Sequence, residues 1–270
     1  MARRAGKLSI FPLILFGIYA AWYWFSNQEE VPITGRSQVV DMSTEQEMAL
    51  GIQSYQEILS KERVLPVSDP RVRQVRAIGE RIARASAAID PGFEWEFNVI
   101  ESPQANAFAL PGGKVAVYTG ILPIAENEDG LAVIMGHEIS HALARHGAER
   151  MAMQKLTSLG VLATGVAVSD MDRGQQQMIL GALGVGAQFG VMLPFSRDHE
   201  SEADYMGLVL LAEACFDPRE APELWRRMGA QAGAAPPEWQ STHPSSETRV
   251  AQFEQWMPEA LQLRQQSCGS

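Results

Sequence analysis

Gly136-His137-Glu138-Ile139-Ser140-His141 is the stretch on which the reading of this chain turns. On an α-helix, positions i and i+4 lie about 40° apart in projection and one turn along, so His137 and His141 can reach one metal ion. Glu138 sits roughly 100° round from His137, placed to take a proton from an attacking water without displacing a ligand. That is the working geometry of a zinc peptidase.

The flanks predict a mostly buried helix. Leu131 to Met135 is apolar, Glu128 or Asp129 stands near the start, and Ala142-Leu143-Ala144-Arg145-His146 extends the segment without proline. Carried along that helix, His146 falls on the face opposite His137 and reads as a solvated or capping residue near the C-terminus.

With 270 residues and an apolar fraction of 46%, the chain is long enough for one large domain with an N-terminal appendage. A net charge of −10 argues against nucleic acid as a partner. Cys215 and Cys268 could pair in an oxidising compartment, but Cys268 lies in a polar segment, which argues against an essential disulfide.

Arg3, Arg4 and Lys7 precede an uncharged apolar run from Leu8 to Phe25, with Glu29 and Glu30 beyond it. Such a run can just cross a bilayer, with Tyr19, Trp22, Tyr23 and Trp24 at the interface and the N-terminus in the cytoplasm. Trp22 and Trp24 stand where signal cleavage wants small residues, which favours an uncleaved anchor over a signal peptide. The chain thus divides into a cytoplasmic stub and transmembrane anchor (1–27), a linker (28–42), a main domain (43–258) and a polar tail (259–270).

Within the domain, Ser43 or Thr44 can cap a helix running to about Lys61, and Asp69-Pro70 starts a second carrying Val72, Val75, Ile78 and Ile82. Residues 93–100 alternate as a strand, and Ala107–Leu110, Pro111-Gly112-Gly113 and Lys114–Thr119 read as a hairpin. The fold class is α+β, mainly helical, with a small sheet next to the motif helix. Two apolar stretches, 156–168 and 178–195, read as buried or lid-like helices in preference to a membrane-inserted hairpin.

Two histidines leave a zinc site one protein ligand short. Glu200 and Asp204 are four apart and share a helix face: one can ligate while the other accepts a hydrogen bond from a ligand imidazole. Glu202 falls about 200° from Glu200. His199 is a rival ligand with no matched partner at its spacing.

Asn106-Ala107-Phe108-Ala109, Gly113 to Gly120, the motif itself, Ala144-Arg145-His146, Ser196-Arg197, Glu200 with Ala203-Asp204, Phe216-Asp217-Pro218 and Thr242-His243-Pro244-Ser245 with Arg249 follow one another in order. In these the chain resembles the gluzincin family that includes HtpX and the prenyl-protein CAAX endopeptidases. It is most similar to the Oma-type and periplasmic LoiP- and BepA-type members. The resemblance implies a zincin-like metallopeptidase domain with one Zn2+ held by His137, His141 and Glu200. It further implies Glu138 as general base and Asp204 in support. His243 becomes a candidate oxyanion donor or occupant of the metal's open position, and Arg249 a clamp on the C-terminal segment through a carboxylate.

The expected reaction is endoproteolysis of extended or misfolded envelope proteins. Substrate would pair with an open edge of the hairpin strand, involving Asn106, Ala107, Gly113, Lys114, Val115, Ala116 and Val117. Expected partners are polypeptide substrates, a membrane and regulatory envelope proteins. The location is the bacterial inner membrane, single-pass, with the domain in the periplasm, or alternatively the mitochondrial inner membrane. A membrane-tethered chaperone with a structural zinc site is the competing class, and Glu138 beside the first histidine argues for catalysis.

Overall fold

The computed structural model describes residues 8–231 and 247–269. The helices are α1 (Phe11–Ser26), α2 (Thr44–Lys61), α3 (Pro70–Ala85), α4 (Leu122–Ala125), α5 (Glu128–Leu143), α6 (His146–Ala167), α7 (Arg173–Ala187), α8 (Leu193–Glu213), α9 (Glu220–Gln231) and α10 (Glu247–Cys268). The strands are β1 (Gln28–Glu30), β2 (Ser37–Val39), β3 (Glu96–Ile100), β4 (Ala107–Leu110) and β5 (Lys114–Tyr118). Among the described residues the protein is mainly helical with two small sheets, and the chain divides into two compact units.

The first unit comprises 1–31, 35–41 and 147–199. Here Tyr23 of α1 packs with Val39, Ala152 and Leu156, and the Ser9 amide donates to the Ala167 carbonyl at 2.8 Å. These contacts run α1 alongside α6 in the opposite direction. Arg36 makes a two-pronged ion pair with Glu149, whose carboxylate also meets His199 Nε2 at 2.7 Å. His199 therefore serves a buried ion-pair cluster here. No residue of α7 is buried, so of the expected buried or lid-like helices the buried alternative does not hold for α7, and Met178 and Val185 are exposed. Among the described residues no helix is long and apolar enough to cross a membrane. The sixteen residues of α1 reach about 24 Å at ~1.5 Å each, against roughly 30 Å of hydrocarbon.

The second unit, 32–34, 42–146 and 200–270, contains the motif helix. Its N-terminal helices start where side chains satisfy the free amides. Ser43 and Gln46 form a reciprocal capping box on α2, and Asp69 caps α3 with Pro70 in the first turn. The apolar face of α3 (Val72, Val75, Ile78, Ile82) is fully buried.

The three-stranded sheet has the order β3-β5-β4, with β5 parallel to β3 and antiparallel to β4. Gly112 (φ 89°) and Gly113 (φ 76°) make the turn into β5, backbone angles that glycine adopts without strain. The middle strand is thus β5, buried along its length, with both edges paired. The expectation that Gly113, Lys114, Val115, Ala116 and Val117 offer an open edge is therefore corrected. The outer edge of β3 is covered by Arg63 and Leu65, which bond its flank at Glu101 and Val99. Among the described residues β4 pairs with β5 alone, so the open edge belongs to Ala107–Leu110, and β4 lies beside α5.

At the C-terminus, α10 continues through Pro258 to Cys268, so residues 259–268 are helical. Cys268 is joined to Cys215 by a disulfide, with Cα atoms 5.7 Å apart. The turn after α8 and the end of α10 are thereby tied together, although the sequence argued against an essential bridge.

Candidate metal centre

The motif helix α5 is apolar on nearly every face, and all but one of residues 130–143 are buried. Asn127 caps it by accepting from the Gly130 amide, and Glu128 and Asp129 favour its positive end. It crosses α8 at two glycines. A Cβ on Gly207 would lie 3.1 Å from the His137 nitrogen and 3.2 Å from the Gly136 carbonyl carbon. Backbone-to-backbone approach at this point brings the carboxylates of α8 within reach of the imidazoles of α5.

Those groups converge. Nε2 of His137 and Nε2 of His141 are 3.1 Å apart, and Glu200 offers one oxygen 3.4 Å from the first and another 3.5 Å from the second. Ligand atoms bound at about 2.0–2.1 Å in a tetrahedron stand roughly 3.3 Å from one another, so this trio has the spacing of three corners. Each residue offers one ligand atom, all within 4.8 Å of one another, as a metal ion requires. The two imidazole nitrogens can both turn lone pairs inward only with a cation between them; otherwise one ring must donate a proton to the other.

Around this trio lie further charged groups. Asp204 Oδ1 is 3.0 Å from His137 Nδ1. Burial alone would lower the His137 imidazole, but the hydrogen bonds to Asp204 and Glu200 outweigh it and push the group up to about 9. Positive charge is favoured at this point. Arg249, from the first turn of α10, supplies some of it: its guanidinium bonds both Asp204 oxygens at 2.6 Å and Glu200 at 3.2 Å, and lies 3.5 Å over the Trp225 ring. Glu138 is buried next to His137 on α5. His243, the candidate oxyanion donor, lies outside the described residues.

His146 departs from the sequence reading. It is buried, 3% exposed, with Nδ1 only 2.7 Å from Nδ1 of His141. The reason is that α5 stops at Leu143 and Arg145 turns left-handed (φ 59°), so the helical projection used for His146 no longer applies. Arg145 is held in that conformation by bonds to Glu47 and to the Met42 carbonyl, both 2.7 Å. Glu202, on the far side of α8 from Glu200, is drawn to His146 at 3.0 Å. The Ala144-Arg145-His146 match was the sequence signal for this residue.

Comparison with known proteins extends the same conclusion beyond the geometry. The signature of Peptidase family M48 matches residues 70–257. Mitochondrial metalloendopeptidase OMA1 of Schizosaccharomyces pombe is 41% identical over 91% of this chain and 71% of its own length. The human protein of that name is 31% identical over 97% of this chain and 52% of its own. The beta-barrel assembly-enhancing protease of Yersinia pestis is 31% identical over 83% and 46%. Because the matched region carries the converged histidines and Glu200 and spans most of the chain, the protein belongs to peptidase family M48 and is a metalloendopeptidase.

Proposed function

We propose that the protein is a membrane-anchored zinc endopeptidase that cleaves extended or misfolded envelope polypeptides. The observation that carries the catalytic part is the convergence of His137, His141 and Glu200 on one point. Two imidazoles and one carboxylate suit zinc and leave one position for water or substrate. When bound there, zinc would polarise the scissile carbonyl and make water acidic enough to attack near neutral pH. Glu138 takes the proton from the attacking water and returns it to the departing amine. Asp204 accepts from His137 Nδ1 and so fixes the ring with Nε2 toward the site, where a bound cation would take the place of the second ring proton, while Arg249 holds the two carboxylates of α8 in place.

Substrate would lie along β4. An extended peptide adds to the open edge at Ala107–Leu110 by main-chain hydrogen bonds, with Asn106 at its start, which selects unfolded segments and reads side chains weakly. Anchorage is supported by α1, which exposes Phe11, Ile14, Leu15, Ile18 and Trp22, and by the outward apolar residues of α7 in the same unit. The location in this reading is a bacterial inner membrane with the peptidase in the periplasm. The alternative is the mitochondrial inner membrane, of which the relatives' names support the mitochondrial part.

Metal analysis and a casein-cleavage assay with Glu138→Gln test the reaction. Retained zinc with cleavage lost by at least about 100-fold is expected, and undiminished cleavage would remove Glu138 from its role. Flotation with vesicles tests the anchor: full chain should float, and a chain starting at residue 28 should not.

A further inference from the structure

The two imidazoles that face the metal point are oriented in different ways. His137 Nδ1 meets a carboxylate directly, Asp204 at 3.0 Å. His141 Nδ1 meets another ring, His146 Nδ1 at 2.7 Å, and His146 Nε2 in turn meets Glu202 Oε2 at 3.0 Å. The other Glu202 oxygen accepts from the Thr34 hydroxyl. His146 and Glu202 are 3% and 8% exposed, so the middle of this series is shielded from water.

Proton accounting fixes the direction of this chain once His141 ligates. Its Nε2 must present a lone pair, so its single ring proton sits on Nδ1. At 2.7 Å the two Nδ1 atoms share one hydrogen, so His141 donates and His146 accepts. His146 therefore carries its own proton on Nε2 and donates it to Glu202. Every donor in the series meets an acceptor.

The spacer ring has a structural cause. Glu202 leaves α8 on the side away from Glu200, and the left-handed Arg145 swings His146 into the gap. A carboxylate is thereby linked to the second imidazole without standing in the ligand trio.

We propose that His146, held by Glu202 and Thr34, is a positioning residue that sets the tautomer and ring plane of His141, so that Glu202 supports metal binding through an intervening imidazole. This rests on the reading of His137, His141 and Glu200 as the metal ligands. Loss of a group that orients a ligating histidine costs about 10–100-fold in metal affinity.

The test measures cobalt and zinc affinity of the full chain by competition with a chromophoric chelator, together with the visible spectrum of the cobalt form. His146→Ala should weaken binding by about 10–100-fold and shift the cobalt bands. His146→Asn, whose amide oxygen can occupy the place of Nδ1 and accept from His141, should recover most of the affinity. Glu202→Gln should fall between them. Leu143→Ala, which removes a buried packing residue on the same segment, should lower thermal stability while leaving affinity and bands unchanged. Wild-type affinity and bands in His146→Ala, or no recovery in His146→Asn, would overturn the role of His146. His141→Ala separates the two readings: if it too binds cobalt at full strength, the metal site itself is wrongly assigned.

Discussion

Gly207 of α8 lies against the backbone of Gly136 in α5, with room for hydrogen and little more. This crossing sets the distance between the imidazoles of one helix and the carboxylates of the other. Gly207→Ala would place a methyl 3.1 Å from the His137 nitrogen, against backbone that cannot rotate away. The expected cost is about 1–3 kcal/mol of stability, as for other overpacked sites, together with weaker metal binding as Glu200 is pushed back. Thermal melts and chelator competition check this; an alanine variant that binds metal as tightly as its parent would contradict it.

Arg249 neutralises Asp204 and Glu200, both nearly inaccessible to water. Removing one partner of a buried ion pair leaves the other charge stranded, at about 3–5 kcal/mol. Arg249→Ala should therefore lower the melting temperature strongly. Arg249→Lys should recover only part of it, since lysine lacks the fork that grips both Asp204 oxygens and the plane that stacks on Trp225. An Arg249→Lys variant that melts like the parent would show that the fork does not matter.

Glu149 gives a pH dependence outside the metal centre. Burial raises its carboxyl, but Arg36 and His199 outweigh burial and hold it below the ordinary value of 4.5. A carboxyl lowered on folding stabilises the native state above that value, and the contribution disappears as pH falls beneath it. Glu149→Gln should then be less stable than the parent near neutrality, with the gap closing in acid. Melting curves at a series of pH values decide; a gap that widens in acid would reverse the assignment.

The disulfide between Cys215 and Cys268 closes a sequence separation of 53 residues. Its removal should cost about 2–4 kcal/mol. A Cys215→Ser, Cys268→Ser double variant should melt lower than the parent and ignore added reductant, whereas the parent should respond to it. A parent that melts identically with and without reductant would count against a stabilising bridge.

Much of the fold was legible because its signals are local. Ser43 with Gln46, Asp69 with Pro70, and the Pro111-Gly112-Gly113 turn each state in a few residues where an element begins or ends. Features that depend on distant or atypical partners were not. Arg145 breaks a helix with neither glycine nor proline to mark the place, and its left-handed turn is sustained by Glu47, far away in sequence. Hence a continuous helical projection puts His146 on the wrong face. The central place of β5 depends on parallel pairing with β3, which no hairpin pattern encodes. Pro258 is a residue that breaks many helices, yet α10 continues past it to Cys268.

One helix is fastened at both ends of its working half. Near Glu200 an ion would clamp α8 to α5, and just beyond Glu213 the sulfur bridge ties the following turn to α10. A newly made chain in a reducing, metal-poor setting has neither fastening. Maturation should accordingly require two chemical events, oxidation and metal loading, and only where both are available does the latch become complete.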